Sequence, residues 1–120
     1  MAPPGWISNL EQDWPIQPTN VSMEALAQFH TIIRYDRHGC GLSDRDRSDF
    51  TVEADVRPLE AVVDHLKLRR FALYGSSAGG PTAIAYAARH PRRVSHLVLY
   101  GTHAHFDPGA GRRTILQQDG

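Results

Sequence analysis

Phe71-Ala72-Leu73-Tyr74-Gly75-Ser76-Ser77-Ala78-Gly79 decides how this chain is read, because an apolar run opens directly into a G-x-S-x-G pentapeptide. The four residues before the first glycine read as a buried strand. Beyond the pentapeptide, Pro81-Thr82-Ala83-Ile84-Ala85-Tyr86-Ala87-Ala88-Arg89 reads as a helix that stops at His90-Pro91. A strand that reverses this sharply into a helix crowds its own backbone. A Cβ two positions before or two after the central serine would clash there, and Gly75 and Gly79 answer that demand. The turn lifts Ser77 to the carboxyl end of the strand, with its hydroxyl exposed and the first free N–H groups of the following helix beside it.

Two neighbouring stretches carry the reading further. Tyr35-Asp36-Arg37-His38-Gly39-Cys40-Gly41-Leu42-Ser43-Asp44 resembles the D-x-R-G-x-G-x-S turn of α/β-hydrolases, and Val94-Ser95-His96-Leu97-Val98-Leu99-Tyr100-Gly101 resembles the strand that follows their elbow helix. On these residues the chain is identified as a member of that family. It is most similar to bacterial α/β-hydrolase segments found beside adenylate cyclase or LuxR-type regulatory domains, and the likeness runs from about Pro4 to Tyr100.

The resemblance implies an α/β fold: a partial α/β-hydrolase, three-layered, with a mostly parallel sheet of three recognisable strands and right-handed helical crossovers. Residues 1–120 form one partial domain, with an oxyanion-loop region over 1–21, a sheet and helix core over 22–101 carrying the elbow at 75–79, and a loop tail over 102–120. Ser77 is then the nucleophile of an acyl-enzyme mechanism on ester-like acyl substrates. Pro4-Gly5-Trp6-Ile7-Ser8-Asn9-Leu10-Glu11 matches the family's oxyanion loop, so the backbone N–H groups of Trp6 and Ala78 form the oxyanion hole. The side chains of Trp6 and Trp14 are read as packing aromatics.

The family order is Ser, then Asp or Glu, then His, and the segments that usually bear the last two follow Tyr100 by a long way. The expectation is therefore a truncated chain lacking the usual acid and base. Asp107 remains as a candidate acid, with His103 and His105 as candidate bases, because all three follow the strand after the elbow helix. Of the strand that precedes the oxyanion loop, only Met1-Ala2-Pro3 remains. Its omission leaves the strands ending at Tyr35 and Tyr74 either to pair anew or to keep open edges, and open edges invite self-association.

Composition narrows the classes of function. At 120 residues the chain is short for an α/β sheet enzyme. Thirteen basic and thirteen acidic residues cancel, which removes the electrostatic case for nucleic acid or an anionic membrane. No run approaches the roughly 20 apolar residues that span a bilayer, and Met1-Ala2-Pro3-Pro4 lacks a signal-peptide pattern. The single cysteine, Cys40, forms no internal disulfide and fits the cytoplasm. There is no metal-ligand spacing or phosphate-binding glycine loop, so no metal or organic cofactor is expected, and the partner is a small acyl substrate or ligand.

Local patterns fill in the rest. Ser22 reads as the cap of a helix through about Phe29 with Glu24 in its first turn, and residues 31–35 as a β-branched strand delivering Asp36 and Arg37 as braces of the glycine turn. Thr51 caps an amphipathic helix with Val52, Val56, Leu59, Val63 and Leu66 on one face, broken or kinked at Pro58. Two functional classes follow. The first is a serine hydrolase core with at most weak activity of its own. The second is a non-catalytic ligand-sensing or interaction module derived from the same fold.

Overall fold

The computed structural model describes residues 1–4, 10–13 and 19–104. Its elements run α1 (Leu10–Asp13), α2 (Thr19–Ala27), α3 (Val52–His65), β1 (Phe71–Ser76), α4 (Gly79–Arg89) and β2 (Val94–Tyr100). β1 and β2 pair in parallel from Ala72 opposite His96 to Ser76 opposite Tyr100, with one irregularity between Phe71 and Ala72. Parallel neighbours need a crossover, and α4 supplies it, packing against both strands and against α3. This is the α/β arrangement expected from the strand–turn–helix pattern.

The core lies between α3, α4 and β1. Val56, Leu59 and Val63 from α3 meet Leu73 of β1 and Ala83 and Tyr86 of α4, all fully buried. Alanines along α4 let its axis approach the sheet, and the Tyr86 ring packs 5.8 Å from Phe71. β2 is covered less. Leu97, Val98, Leu99 and Tyr100 are all exposed, so this strand presents apolar side chains, and among the described residues its only paired neighbour is β1.

Four local expectations change. Helix α2 opens at Thr19, ahead of Ser22, so Glu24 lies past its first turn; Pro18, directly before it in sequence, is the earlier start signal. Helix α3 starts as expected, with the Thr51 hydroxyl accepting the Ala54 N–H at 3.2 Å, but it continues through Pro58 without a break. Burial of Val56 and Leu59 on either side holds the helix across the lost hydrogen bond. Leu66 is the C-cap residue and is exposed, so the apolar face ends at Val63.

The fourth change concerns the sheet. Residues 31–35 do not form a regular strand and enter it through one parallel bridge between Arg34 and Ala2. Met1 and Ala2 stand in the gap between that segment and β1: the Met1 carbonyl accepts the Tyr74 N–H at 2.9 Å, and the Ala2 N–H donates to the Ile33 carbonyl at 2.9 Å. The Met1 ammonium donates to the Ala72 carbonyl at 3.1 Å, and its burial lowers its pKa from the ordinary value. The flanking segments therefore neither pair directly nor separate. Pro3 follows without an N–H to donate, so the ladder stops and residues 31–35 remain irregular.

The Tyr86 hydroxyl is buried, and among the described residues it has no hydrogen-bond partner. An unmade hydrogen bond of this kind costs about 1–3 kcal/mol. Tyr86→Phe is therefore expected to keep or raise the urea midpoint, whereas Leu59→Ala, which empties a fully buried site, is expected to lose about 2–5 kcal/mol. A large loss in Tyr86→Phe would show that the hydroxyl is satisfied in solution.

Candidate functional site

Ser77 has φ +48°, in the left-handed region that non-glycine residues rarely occupy. Such a conformation costs on the order of 1 kcal/mol and persists only where its surroundings impose it. The surroundings here are specific. The Ser77 N–H donates to the Tyr100 carbonyl at 3.3 Å, and the Ser77 carbonyl accepts the Gly80 N–H at 3.2 Å. The same carbonyl accepts the Thr102 hydroxyl. The end of β2 thus grips the serine backbone from both sides.

Three glycines make room for this grip. A Cβ on Gly75 would lie 2.9 Å from the Ala83 Cβ and 3.0 Å from the Gly80 Cα, and one on Gly79 would lie 2.9 Å from the Pro4 carbonyl oxygen. These are the two elbow positions expected from the motif. Gly80 is the addition: a Cβ there would fall 1.8 Å from the Thr102 hydroxyl oxygen. Sequence reasoning missed Gly80 and Thr102, and the doubled glycine at 79–80 was the only local signal.

The Ser77 side chain is exposed and opens into a cleft of about 340 Å³ whose walls include Ser22, Met23, Tyr74, Tyr100 and Gly101. α4 begins immediately after it, with Ala78 as N-cap at φ −67°. The positive end of the helix dipole therefore lies beside the hydroxyl, where negative charge is favoured. His103 is exposed just after Thr102. Trp6, His105 and Asp107 lie outside the described residues. Among the described residues, no three His, Cys, Asp or Glu side chains converge as metal ligands, and no helix is long and apolar enough to cross a membrane.

The glycine turn at 36–44 is braced as expected. The buried Asp36 carboxylate accepts the Leu10 and Leu42 N–H groups, each at 3.0 Å, and its carbonyl accepts the Ser43 hydroxyl at 2.7 Å. Gly41, at φ +55°, has no space for a Cβ, which would fall 2.2 Å from Asp36 Cγ. Arg37 reaches α3, donating from Nε to Asp55 Oδ1 at 3.0 Å. That hydrogen bond raises the Arg37 pKa further. Burial, and then the Asp55 charge, push the Tyr35 phenol well above its ordinary range. His38 turns away to Asp46, with 3.3 Å between Nε2 and Oδ1.

A family model described as the alpha/beta hydrolase fold matches residues 3–119. Among curated relatives, the cis-3-alkyl-4-alkyloxetan-2-one decarboxylase of Shewanella oneidensis is 38% identical over 86 residues, covering 68% of this chain and 27% of the relative. The 2-hydroxy-6-oxo-2,4-heptadienoate hydrolase of Pseudomonas putida is 38% identical over 80 residues, covering 66% of this chain and 29% of the relative. Among solved structures, a hydrolase from Pseudomonas aeruginosa superposes with a TM-score of 0.76 at 26% identity, over 98% of this chain and 42% of that one. The chain thus spans less than a third of the length of these two curated relatives.

Strain at Ser77 predicts a stability signature. Ser77→Gly is expected to raise the unfolding free energy by up to about 1 kcal/mol, and Ser77→Val to lower it by more than that. Urea denaturation of the three proteins checks this, and a glycine variant less stable than the parent would mean that the turn is relaxed.

Proposed function

This chain belongs to the α/β-hydrolase fold family, and on that premise we propose that it is a serine hydrolase core acting on ester-like acyl substrates through an acyl-enzyme on Ser77. The observation that carries the proposal is the exposed, left-handed Ser77 at the start of α4, facing an open cleft. A strained turn gripped by two backbone hydrogen bonds and a threonine is a costly way to present a serine that does nothing. An oxetan-2-one is a cyclic ester, so the name of one relative, a decarboxylase, supports an ester-like substrate class.

In this mechanism the Ser77 hydroxyl attacks the carbonyl carbon while a histidine takes its proton. His103 and His105 are the candidates for that base, with Asp107 as the acid that orients it. The carbonyl oxygen becomes an oxyanion held by the Ala78 and Trp6 backbone N–H groups and the α4 dipole. Collapse expels the leaving group as it takes the proton back, and water then releases the acyl group by the same route. An unassisted serine hydroxyl is a weak nucleophile at neutral pH, so the rate depends on whether that base reaches it.

The second reading is a ligand-sensing module of the kind that accompanies regulatory proteins. The Tyr74, Tyr100 and Met23 side chains around the cleft support it, because they offer apolar contact without chemistry. Fluorophosphonate labelling of monodisperse protein separates the two. Covalent labelling at Ser77, abolished in Ser77→Ala and reduced at least about tenfold in the His103→Ala/His105→Ala variant, is the result expected of the hydrolase. A folded protein that does not label, yet is stabilised by a small ligand equally in parent and Ser77→Ala, would support the sensing module instead.

A further inference from the structure

Two donors from different parts of the chain converge on one carbonyl at the turn. The Ser77 carbonyl accepts the Gly80 N–H at 3.2 Å and also the Thr102 hydroxyl, an arrangement that suits the two lone pairs of a carbonyl oxygen. Thr102 reaches it because the chain turns immediately after β2. Gly101 stands between Tyr100 and Thr102 at φ +54°. A Cβ on Gly101 would meet nothing within 4 Å, so this glycine answers a need of conformation and not of space. The result is a clamp in which the Tyr100 carbonyl takes the Ser77 N–H and the Thr102 hydroxyl takes the Ser77 carbonyl.

The consequence passes along one peptide unit. The Ser77 carbonyl and the Ala78 N–H belong to the same planar group, and in a trans peptide they point in opposite directions. Whatever fixes the carbonyl therefore fixes the N–H. With the carbonyl held towards Gly80 and Thr102, the Ala78 N–H is held pointing away from them. Hydrogen bonds to the carbonyl also polarise the peptide and strengthen its N–H as a donor. The Gly80 bond is internal to the turn and moves with it. The Thr102 bond comes from a separate element, 25 residues along the chain, and ties the peptide plane to the end of the sheet.

We propose that Thr102 is a positioning residue for the reaction at Ser77: its hydroxyl sets the plane of the Ser77–Ala78 peptide, and with it the direction of the Ala78 N–H that receives the oxyanion. This role rests on the acyl-enzyme reading of Ser77. Tyr100 and Gly101 line the cleft at Ser77 and Thr102 does not, so the threonine acts through the peptide and not by contact with substrate.

The test compares Thr102→Ala and Thr102→Ser, which differ from each other only by the hydroxyl and lie outside the buried core. Parent and variants are labelled with a fluorophosphonate over a range of concentrations, which separates the limiting rate at Ser77 from the affinity for the probe. The Ala78 amide and the Ser77 carbonyl carbon are followed by NMR in the same proteins. Thr102→Ala is expected to lower the limiting rate by about tenfold, less than the outright loss of an oxyanion donor costs, with probe affinity unchanged and both NMR signals moved. Thr102→Ser keeps the hydroxyl and is expected to stay within about twofold of the parent rate. Equal limiting rates in the two variants, a loss confined to probe affinity, or NMR signals that do not move in Thr102→Ala would overturn the role of Thr102 and leave the nucleophile in place. A folded parent that does not label at Ser77 would instead overturn the acyl-enzyme reading, and this role with it.

Discussion

The reversal of β1 into α4 at a left-handed serine is the constraint on which the rest of this structure depends. A non-glycine residue at φ +48° does not stay there unaided. Its N–H is held by Tyr100, its carbonyl by Gly80 and Thr102, and Gly75, Gly79 and Gly80 must be glycines because Ala83, Pro4 and Thr102 occupy the space their side chains would need. The parallel pairing of β1 with β2 brings Tyr100 alongside Ser76. The turn is thus set by the sheet, and the sheet in turn needs α4 as its crossover.

The second organised region is the turn at 36–44, and it works by electrostatics where the first works by sterics. Asp36 gathers backbone donors from Leu10 and Leu42, and Asp55 gathers guanidinia from Arg37 and Arg47. These contacts fasten α1, the glycine turn and the start of α3 to one another. Buried charge of this kind is stabilising only when its partners are complete. Among the described residues the buried Nη2 of Arg47 has no acceptor.

What was legible in the sequence followed from local demands. Gly75, Ser77 and Gly79 announce the turn because sterics require them whatever surrounds it, and the apolar runs at 71–74 and 94–100 lie in β1 and β2, with β1 continuing to Ser76. The Thr51 cap was equally visible, since its hydroxyl acts within its own first turn. What was not legible depends on distant partners. Residues 31–35 have strand composition, yet they meet the sheet through a single bridge from Arg34 to Ala2, and Pro3 has no N–H to extend it. Pro58 suggests a kink or a break because local energetics disfavour it, and with Val56 and Leu59 buried on either side the helix runs through it without a break. The close approach of Gly80 and Thr102 spans a separation that no spacing rule connects, and the same holds for the pairing of Arg47 with Asp55.

The measurement that tests this account most directly is the backbone conformation of Ser77 in solution, read by NMR from its intraresidue H–N to Hα nuclear Overhauser effect together with its Cα and Cβ shifts. A strong intraresidue effect with left-handed shifts is predicted, and it should persist in the folded chain without ligand. A weak effect with the shifts of an ordinary negative φ would contradict the account, because the turn would then not be held by the end of β2 and Ser77 would not be presented to the cleft.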